Sequence, residues 1–76
     1  MPDAFPSLKA RQMLTILQRL GYEVTRQSGS HRKMEALGRP VIFFSFHDRA
    51  TLPSGMVRTI LVKQIGLSDE EARALL

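Results

Sequence analysis

Residues 17–34, LQRLGYEVTRQSGSHRKM, decide the fold because they contain the end of a helix, a strand, a turn and the start of another strand. Gly21 follows an apolar helical pattern and can adopt the positive φ that often ends a helix. The next residues, YEVTRQ, alternate as a half-buried strand does, with Tyr22 and Val24 on the side expected to be buried. SGS is predicted to turn the chain, since glycine adopts positive φ readily and serine bonds to nearby backbone. A helix followed by a β-hairpin is therefore predicted.

The elements on either side of this stretch follow from the same kinds of pattern. Apolar residues recur at three- and four-residue spacing through residues 7–20, which predicts an amphipathic helix that Ser7 is expected to cap. After the turn, residues 31–36 are predicted to return as a second strand. Residues 41–46, VIFFSF, are predicted to form a third strand, because β-branched and aromatic side chains favour a pleated surface.

A second helix is predicted to begin near Pro53, which suits a first helical turn, and to end before Gly66. Ser68 and Glu71 have the spacing of a capping box that starts a short last helix. The predicted fold is one α+β domain, residues 1–76, in the order α-β-β-β-α. Its three-stranded antiparallel sheet carries both main helices on one face, and a short C-terminal helix follows.

The third predicted strand raises a question about the sheet face that the helices leave open. VIFFSF is apolar at nearly every position, whereas the open face of an antiparallel sheet is usually polar. Strand alternation puts one of two sets on the open face: Val41 and Phe43, or Ile42, Phe44 and Phe46. Either the C-terminal tail or the segment at Phe5 covers this face, or the face binds a protein partner. In the second case a polar substitution of Phe44 or Phe46 is expected to weaken the complex.

Composition favours an ordinary globular domain. Hydrophobic residues make up 43% of the 76 residues and charged residues 24%, and there is no cysteine for disulfides or thiolate metal sites. The longest apolar run, VIFF, is far too short to span a bilayer, and the first residues lack the pattern of a secretory signal. We therefore expect a cytoplasmic protein with no membrane partner. The net charge of +4, with ten of the eleven Lys and Arg residues in 1–67, favours an anionic partner.

The sequence motifs of well-known enzyme classes are absent from this chain. It has no glycine-rich phosphate loop, no HExxH helix and only two histidines. Its acidic residues are scattered or have a helix-capping explanation, so neither a metal nor another cofactor is expected. His47 follows the apolar strand and is interpreted as an edge or loop residue.

The remaining candidate is a cationic cluster around His31, which directly follows the SGS turn. Arg26 precedes the turn and Arg32 and Lys33 follow it, so a hairpin can bring these phosphate-binding groups close to the imidazole. Histidine takes and gives protons near neutral pH, as cleavage of RNA requires. A lone histidine in a polar turn is more often an ordinary surface residue, so both interpretations stay open. The backbone of the turn can add an anion-binding concavity, formed by Ser28, Gly29 and Ser30.

Two blocks of the sequence resemble the HicA toxin family, small mRNA interferases of bacterial toxin-antitoxin pairs. LQRLGYEVTRQSGSHRKM resembles the family's helix, glycine, strand and R-x-x-GSH segment, and LPSGMVRTILVKQIGLSDEEARALL resembles its P-x-G-x-x-R-x-I-L helix and acidic tail. The resemblance implies a double-stranded-RNA-binding-domain-like fold, translation-independent cleavage of mRNA and neutralisation by a HicB-type antitoxin. It also implies that the catalytic histidine is His31 and that the motif glycine is Gly29. His47 falls at the family's second histidine, although Phe46 stands where a proline often precedes it, and the Phe-rich strand is more apolar than the family pattern.

With this resemblance, the predicted function is a type II toxin that cleaves mRNA as a metal-independent endoribonuclease with one catalytic histidine, His31. The residues predicted to bind RNA are Arg26, Ser28, Gly29, Ser30, Arg32 and Lys33. Two alternatives remain: a non-catalytic RNA-binding module of the same fold, and a protein-interaction domain that uses the apolar open face. Formation of a homodimer is also left open.

Overall fold

The computed structural model describes residues 5–76, and the first four residues of the predicted domain lie outside the described residues. The predicted α+β order, with a helix, a three-stranded antiparallel sheet and a C-terminal helix, is confirmed. Thr59–Gln64 continues the second helix with π-helical geometry and is called the π segment below. The elements are β1 (Leu8–Lys9), α1 (Ala10–Arg19), β2 (Glu23–Ser28), β3 (His31–Glu35), β4 (Ile42–Ser45), β5 (Thr51–Leu52), α2 (Ser54–Arg58), the π segment and α3 (Asp69–Ala74).

The three-stranded sheet is an antiparallel meander in the order β2-β3-β4. Ser28 pairs with His31 around the turn, where Gly29 adopts a φ of +61°. The β2–β3 register shifts between Val24 and Arg26, so this part of β2 contains a bulge. β2 is an edge strand of this sheet, so Val24 has a neighbouring strand on one side only. Tyr22 is buried as predicted, but Val24 is exposed.

The core lies between α1, the α2 and π-segment helix and one face of the sheet. Sheet residues Met34, Ile42 and Phe44 are buried in one cluster with residues of both helices. The helices therefore cover one sheet face, as predicted. The helical members of the cluster are Ala10, Met13, Ile16, Leu17, Val57, Ile60 and Leu61.

Burial of Ile42 and Phe44 decides which side chains of β4 lie on the open face. Phe44 is 1% exposed and its ring packs edge-on against the partly buried Phe46, with centroids 5.2 Å apart. The expectation that Phe44 or Phe46 contacts a protein partner is therefore wrong, because both rings belong to the helix side. Phe43 and Val41 are the exposed residues.

Neither the tail nor the segment at Phe5 covers this open face within the described residues. Phe5 is buried in the core cluster, and the guanidinium carbon of Arg73 lies 4.5 Å from the centre of its ring. The segment at Phe5 and α3 thus pack against each other. Phe43 remains 69% exposed with both in place.

The start of α1 differs from the prediction that Ser7 caps it. Residues Leu8–Lys9 form β1, which pairs with β5 through Leu8 to Leu52 and Lys9 to Thr51. Helical geometry begins only at Ala10, and the backbone N–H of Lys9 donates to Gln12 Oε1 at 2.8 Å. Pairing with a strand that is distant in sequence replaces the local cap that the residue types favour.

After α2 the second helix changes to π-helical hydrogen bonding. The backbone N–H of Ile65 donates to the carbonyl of Ile60, five residues earlier, at 3.1 Å, and the Thr59 hydroxyl donates to the Gly55 carbonyl at 2.9 Å. Such back-bonding by threonine competes with regular helical bonds and bends helices. Pro53 lies at the cap rather than in the first turn. Gly66, at a φ of +91°, ends the helix as predicted.

The predicted capping box at the start of α3 is confirmed. The backbone N–H of Glu71 donates to Ser68 Oγ at 3.1 Å, and the backbone N–H of Ser68 donates to Glu71 Oε1 at 2.9 Å. These bonds from Ser68 hold the pKa of the Glu71 carboxyl below its usual range, because they favour the charged carboxylate. The box orients α3 so that Ala72 is buried in the core.

Candidate functional site

His31 is the first residue of β3, and its side chain lies on the sheet face opposite the core. The position follows from strand alternation, because Met34, three residues later, is buried against the helices. Its Cα partner on β4 is Ser45, and His31 Nδ1 lies 3.0 Å from Ser45 Oγ. The Nε2 atom makes no hydrogen bond to any residue in 5–76. The ring is therefore held at one nitrogen and open at the other.

The exposed ring of His31 lines a groove of about 440 Å³ on the open sheet face, called the histidine groove below. The groove brings His31 together with Arg26, Ser28 and Lys33, three of the residues predicted to bind RNA. Phe43 and Ser45 complete it from β4. Its lining residues are Arg26, Ser28, His31, Arg32, Lys33, Phe43 and Ser45.

The histidine groove offers two cations to an anion. The Arg26 side chain forms no hydrogen bond or ion pair within residues 5–76. Lys33 Nζ lies 3.8 Å from Glu35 Oε2, and both side chains are nearly half exposed, so this pair is weak and readily exchanged. Glu35 is also bonded by the Thr25 hydroxyl at 2.7 Å, which keeps its carboxylate occupied. Arg26 and Lys33 are therefore available to bind phosphate.

Arg32 differs from the other predicted cations because its guanidinium is already bonded. Nη1 donates to the Phe46 carbonyl at 3.1 Å and Nη2 donates to Asp48 Oδ1 at 2.8 Å, and the side chain is only 13% exposed. Arg32 is among the residues that line the histidine groove, but its guanidinium holds the chain that follows β4. A phosphate contact from Arg32 stays a prediction, and it requires exchange of a bond with Asp48.

Gly29 and Ser30 line a second depression, which shares Arg32 with the histidine groove. The Gln27 amide donates to the Gly29 carbonyl at 3.0 Å, which fixes the turn. His47 lines this second depression and does not line the histidine groove. The structure therefore separates the two histidines. The second depression is lined by Arg11, Gly29, Ser30, Arg32, His47, Asp48 and Arg49.

Within residues 5–76, no three His, Asp or Glu side chains are grouped as a metal site requires. None of the helices in that range is long and apolar enough to cross a membrane.

A family model described as the HicA toxin of bacterial toxin-antitoxin matches residues 10–67. The chain belongs to the HicA toxin family. The matched range includes α1, the whole three-stranded sheet and the π segment, and hence every residue of the histidine groove. HicA-family membership makes the chain a toxin of a toxin-antitoxin system, and an antitoxin is the partner that such a system supplies. No curated protein and no solved structure matches the chain significantly.

Two groove residues of this HicA-family chain were not among the predicted site residues. Ser45 and Phe43 come from VIFFSF, which was interpreted only as an apolar strand. A usable signal was present, because a single serine interrupts the apolar run and lies on the same face as Phe43. The pairing of Ser45 with His31 depends on the β3–β4 register, which the connection between the two strands helps to set.

Proposed function

We propose that the chain is a type II toxin that cleaves mRNA as a metal-independent endoribonuclease, with His31 as its catalytic histidine. The observation that carries this proposal is the environment of the His31 imidazole. His31 Nδ1 is held by Ser45 at 3.0 Å, Nε2 is unbonded within residues 5–76, and the ring lines a groove that also contains Arg26 and Lys33. Family membership supplies the biological context, because the HicA-type toxin acts within a toxin-antitoxin system.

The proposed reaction starts with proton transfer. Nε2 of neutral His31 takes the proton of an RNA 2′-hydroxyl, and the 2′-oxygen attacks the adjacent phosphorus. The bond between phosphorus and the 5′-oxygen breaks, and the leaving oxygen takes a proton from the imidazolium or from water. The products are a 2′,3′-cyclic phosphate and a free 5′-hydroxyl. Each step uses a proton transfer or a charge contact that these side chains supply, so no step requires a metal ion.

Ser45 suits this proton transfer because a hydroxyl accepts as well as donates a hydrogen bond. In the neutral tautomer that leaves Nε2 unprotonated, the Nδ1–H group donates to Ser45 Oγ. The same bond persists after Nε2 gains a proton, so the ring keeps its orientation through the cycle. Ser45 is therefore a positioning residue.

Arg26 and Lys33 are proposed to bind the non-bridging oxygens of the scissile phosphate or its neighbour. Charge accumulates on these oxygens when the 2′-oxygen attacks, and cations that are already in place stabilise it. Ser28 and the turn residues Gly29 and Ser30 extend the RNA contact toward the second depression. Arg32 is proposed to contact phosphate by exchanging its bond with Asp48.

The partner proposed for the toxin is a HicB-type antitoxin. Such an antitoxin must either occupy the histidine groove or hold the toxin so that RNA cannot enter it. The action of the toxin on mRNA is proposed to take place in the cytoplasm.

A second candidate function, a non-catalytic RNA-binding module, is favoured by one observation. The histidine groove holds a single histidine, since His47 lines the neighbouring depression, so no second imidazole is present there to protonate the leaving oxygen. This candidate predicts salt-sensitive binding of RNA without strand scission. Incubation of RNA with pure protein in EDTA separates the two: cleavage to 2′,3′-cyclic phosphate ends supports the endoribonuclease, and intact bound RNA supports the binding module.

A further inference from the structure

Phe43 is an exposed aromatic ring that lines the histidine groove. It is 69% exposed and lies directly opposite Lys33 in the β3–β4 register. It takes no part in core packing, which is complete on the other side of β4 through Ile42 and Phe44. Stability of the fold therefore does not explain an aromatic side chain at this position.

The surroundings of Phe43 indicate what the ring binds. The other residues of the groove are cationic or hydroxyl-bearing, including Arg26, Lys33 and Ser28. An apolar protein contact gains little from such neighbours, because their charges and hydroxyl groups must lose water on binding. A nucleotide matches both features: its base stacks on an aromatic ring and its phosphate binds the cations.

The distance along β4 from Phe43 to Ser45 relates the Phe43 ring to the proposed cleavage at His31. Phe43 and Ser45 are two residues apart on the same face, which separates them by about 7 Å along the strand. Ser45 in turn holds His31. One nucleotide covers such a distance between its base and its phosphate, so a base on Phe43 leaves a phosphate of the same or the next nucleotide close to His31.

We propose that Phe43 is a stacking platform for the base of a nucleotide beside the scissile phosphate, and that it makes unpaired RNA the preferred substrate. The inference rests on the proposed ribonuclease function and adds its substrate class. In a duplex each base is stacked between its neighbours and cannot reach a side chain on a sheet face. A single strand can turn a base outward onto the ring.

The test measures binding separately from cleavage. A fluorescein-labelled, fully 2′-O-methylated RNA lacks the attacking hydroxyl, and fluorescence anisotropy with the full chain gives its Kd as a single strand and as a duplex. Phe43→Leu keeps an apolar side chain and removes the ring, and Phe43→Trp keeps an aromatic ring. Val41→Ala is the matched control, because Val41 is exposed directly before β4 but does not line the groove.

We expect Phe43→Leu to weaken single-strand binding about 5- to 150-fold, the range measured for lost base stacking. Phe43→Trp and Val41→Ala keep the affinity within about 2-fold, and duplex binding by Phe43→Leu is unchanged. Equal single-strand affinity of Phe43→Leu and the native chain overturns the inference. So does a Phe43→Leu chain that binds RNA normally but fails to bind a second copy or the antitoxin, since the ring then serves a protein contact.

Failure of this inference and failure of the ribonuclease function give different results. If the native chain cleaves RNA and Phe43→Leu binds the single strand normally, stacking is wrong and the ribonuclease stands. If the native chain does not cleave but Phe43→Leu loses single-strand affinity, stacking is supported and the ribonuclease function is wrong.

Discussion

His31 Nδ1 lies 3.0 Å from Ser45 Oγ, and the two residues are direct partners in the β3–β4 register. The bond joins a residue at a turn to a residue of an otherwise apolar strand. It fixes the orientation of the imidazole while leaving Nε2 unbonded within residues 5–76. The proposed chemistry depends on this arrangement, and its consequences can be measured one residue at a time.

Ser45→Ala is expected to lower kcat for RNA cleavage about 10-fold and to leave KM within about 2-fold. The reason is that the imidazole loses its hydrogen-bond partner, whereas the phosphate-binding cations remain. Ser45→Thr keeps a hydroxyl and is expected to restore most of the rate. Steady-state cleavage of a fluorogenic RNA measures both constants. A rise in KM with unchanged kcat contradicts a positioning role for Ser45.

Arg26→Ala is expected to reduce the salt dependence of RNA binding. Each phosphate contact to a single strand contributes a slope of about −0.7 to the plot of log K against log salt. Loss of Arg26 should therefore make the slope less steep by about that amount. Lys63→Ala is the matched control, because Lys63 is an exposed cation of the π segment that does not line the histidine groove. Identical slopes for both variants argue against an Arg26 phosphate contact.

Arg32→Ala is expected to destabilise the fold by about 1 to 3 kcal/mol, because it removes two hydrogen bonds made by a charged group. Arg32 bonds to the Phe46 carbonyl and to Asp48, and its side chain is only 13% exposed. Lys33→Ala provides the comparison, since its ion pair is exposed and should change the free energy of unfolding by less than about 1 kcal/mol. Urea unfolding measures both. A stability loss that is no larger for Arg32→Ala than for Lys33→Ala refutes the structural role of Arg32.

The Glu71 carboxyl is expected to make the stability of the fold decrease at acidic pH. Its pKa is lowered in the folded chain by the bonds from Ser68. A carboxyl of this kind stabilises the fold above its ordinary pKa in the unfolded chain, and the contribution is lost as pH falls through the lower folded pKa. Glu71→Gln should therefore lose less stability than the native chain when thermal unfolding is compared at pH 6 and pH 2. Glu70→Gln is the control, because Glu70 takes no part in the capping box. A Glu71→Gln chain with the native acid dependence contradicts this assignment.

Local signals predicted those parts of the fold that depend on neighbouring residues. Gly21 and Gly66 end helices at positive φ, and Ser68 caps α3, because each acts through bonds only a few residues away. The β1–β5 pairing replaced the expected Ser7 cap, since it joins segments more than forty residues apart. The bulge before Arg26 was also missed, because it depends on how β2 fits β3.

The same contrast between local contacts and contacts of distant segments limited the prediction of the site. The sequence could indicate His31, Arg26 and Lys33, because one hairpin brings them together. It could not indicate that Asp48 engages Arg32, nor that Phe43 rather than Phe44 lies on the open face. Both depend on which side of β4 packs against the helices, and only the assembled core determines that.

The central claim is that one imidazole, His31, cleaves RNA without a metal. Its most direct test is the rate at which the native chain, His31→Ala and His47→Ala cleave single-stranded RNA in EDTA, with the ends of the products identified. We expect 2′,3′-cyclic phosphate ends from the native chain and from His47→Ala at similar rates, and a rate at least about 100-fold lower from His31→Ala. Cleavage by His31→Ala at the native rate would contradict the account.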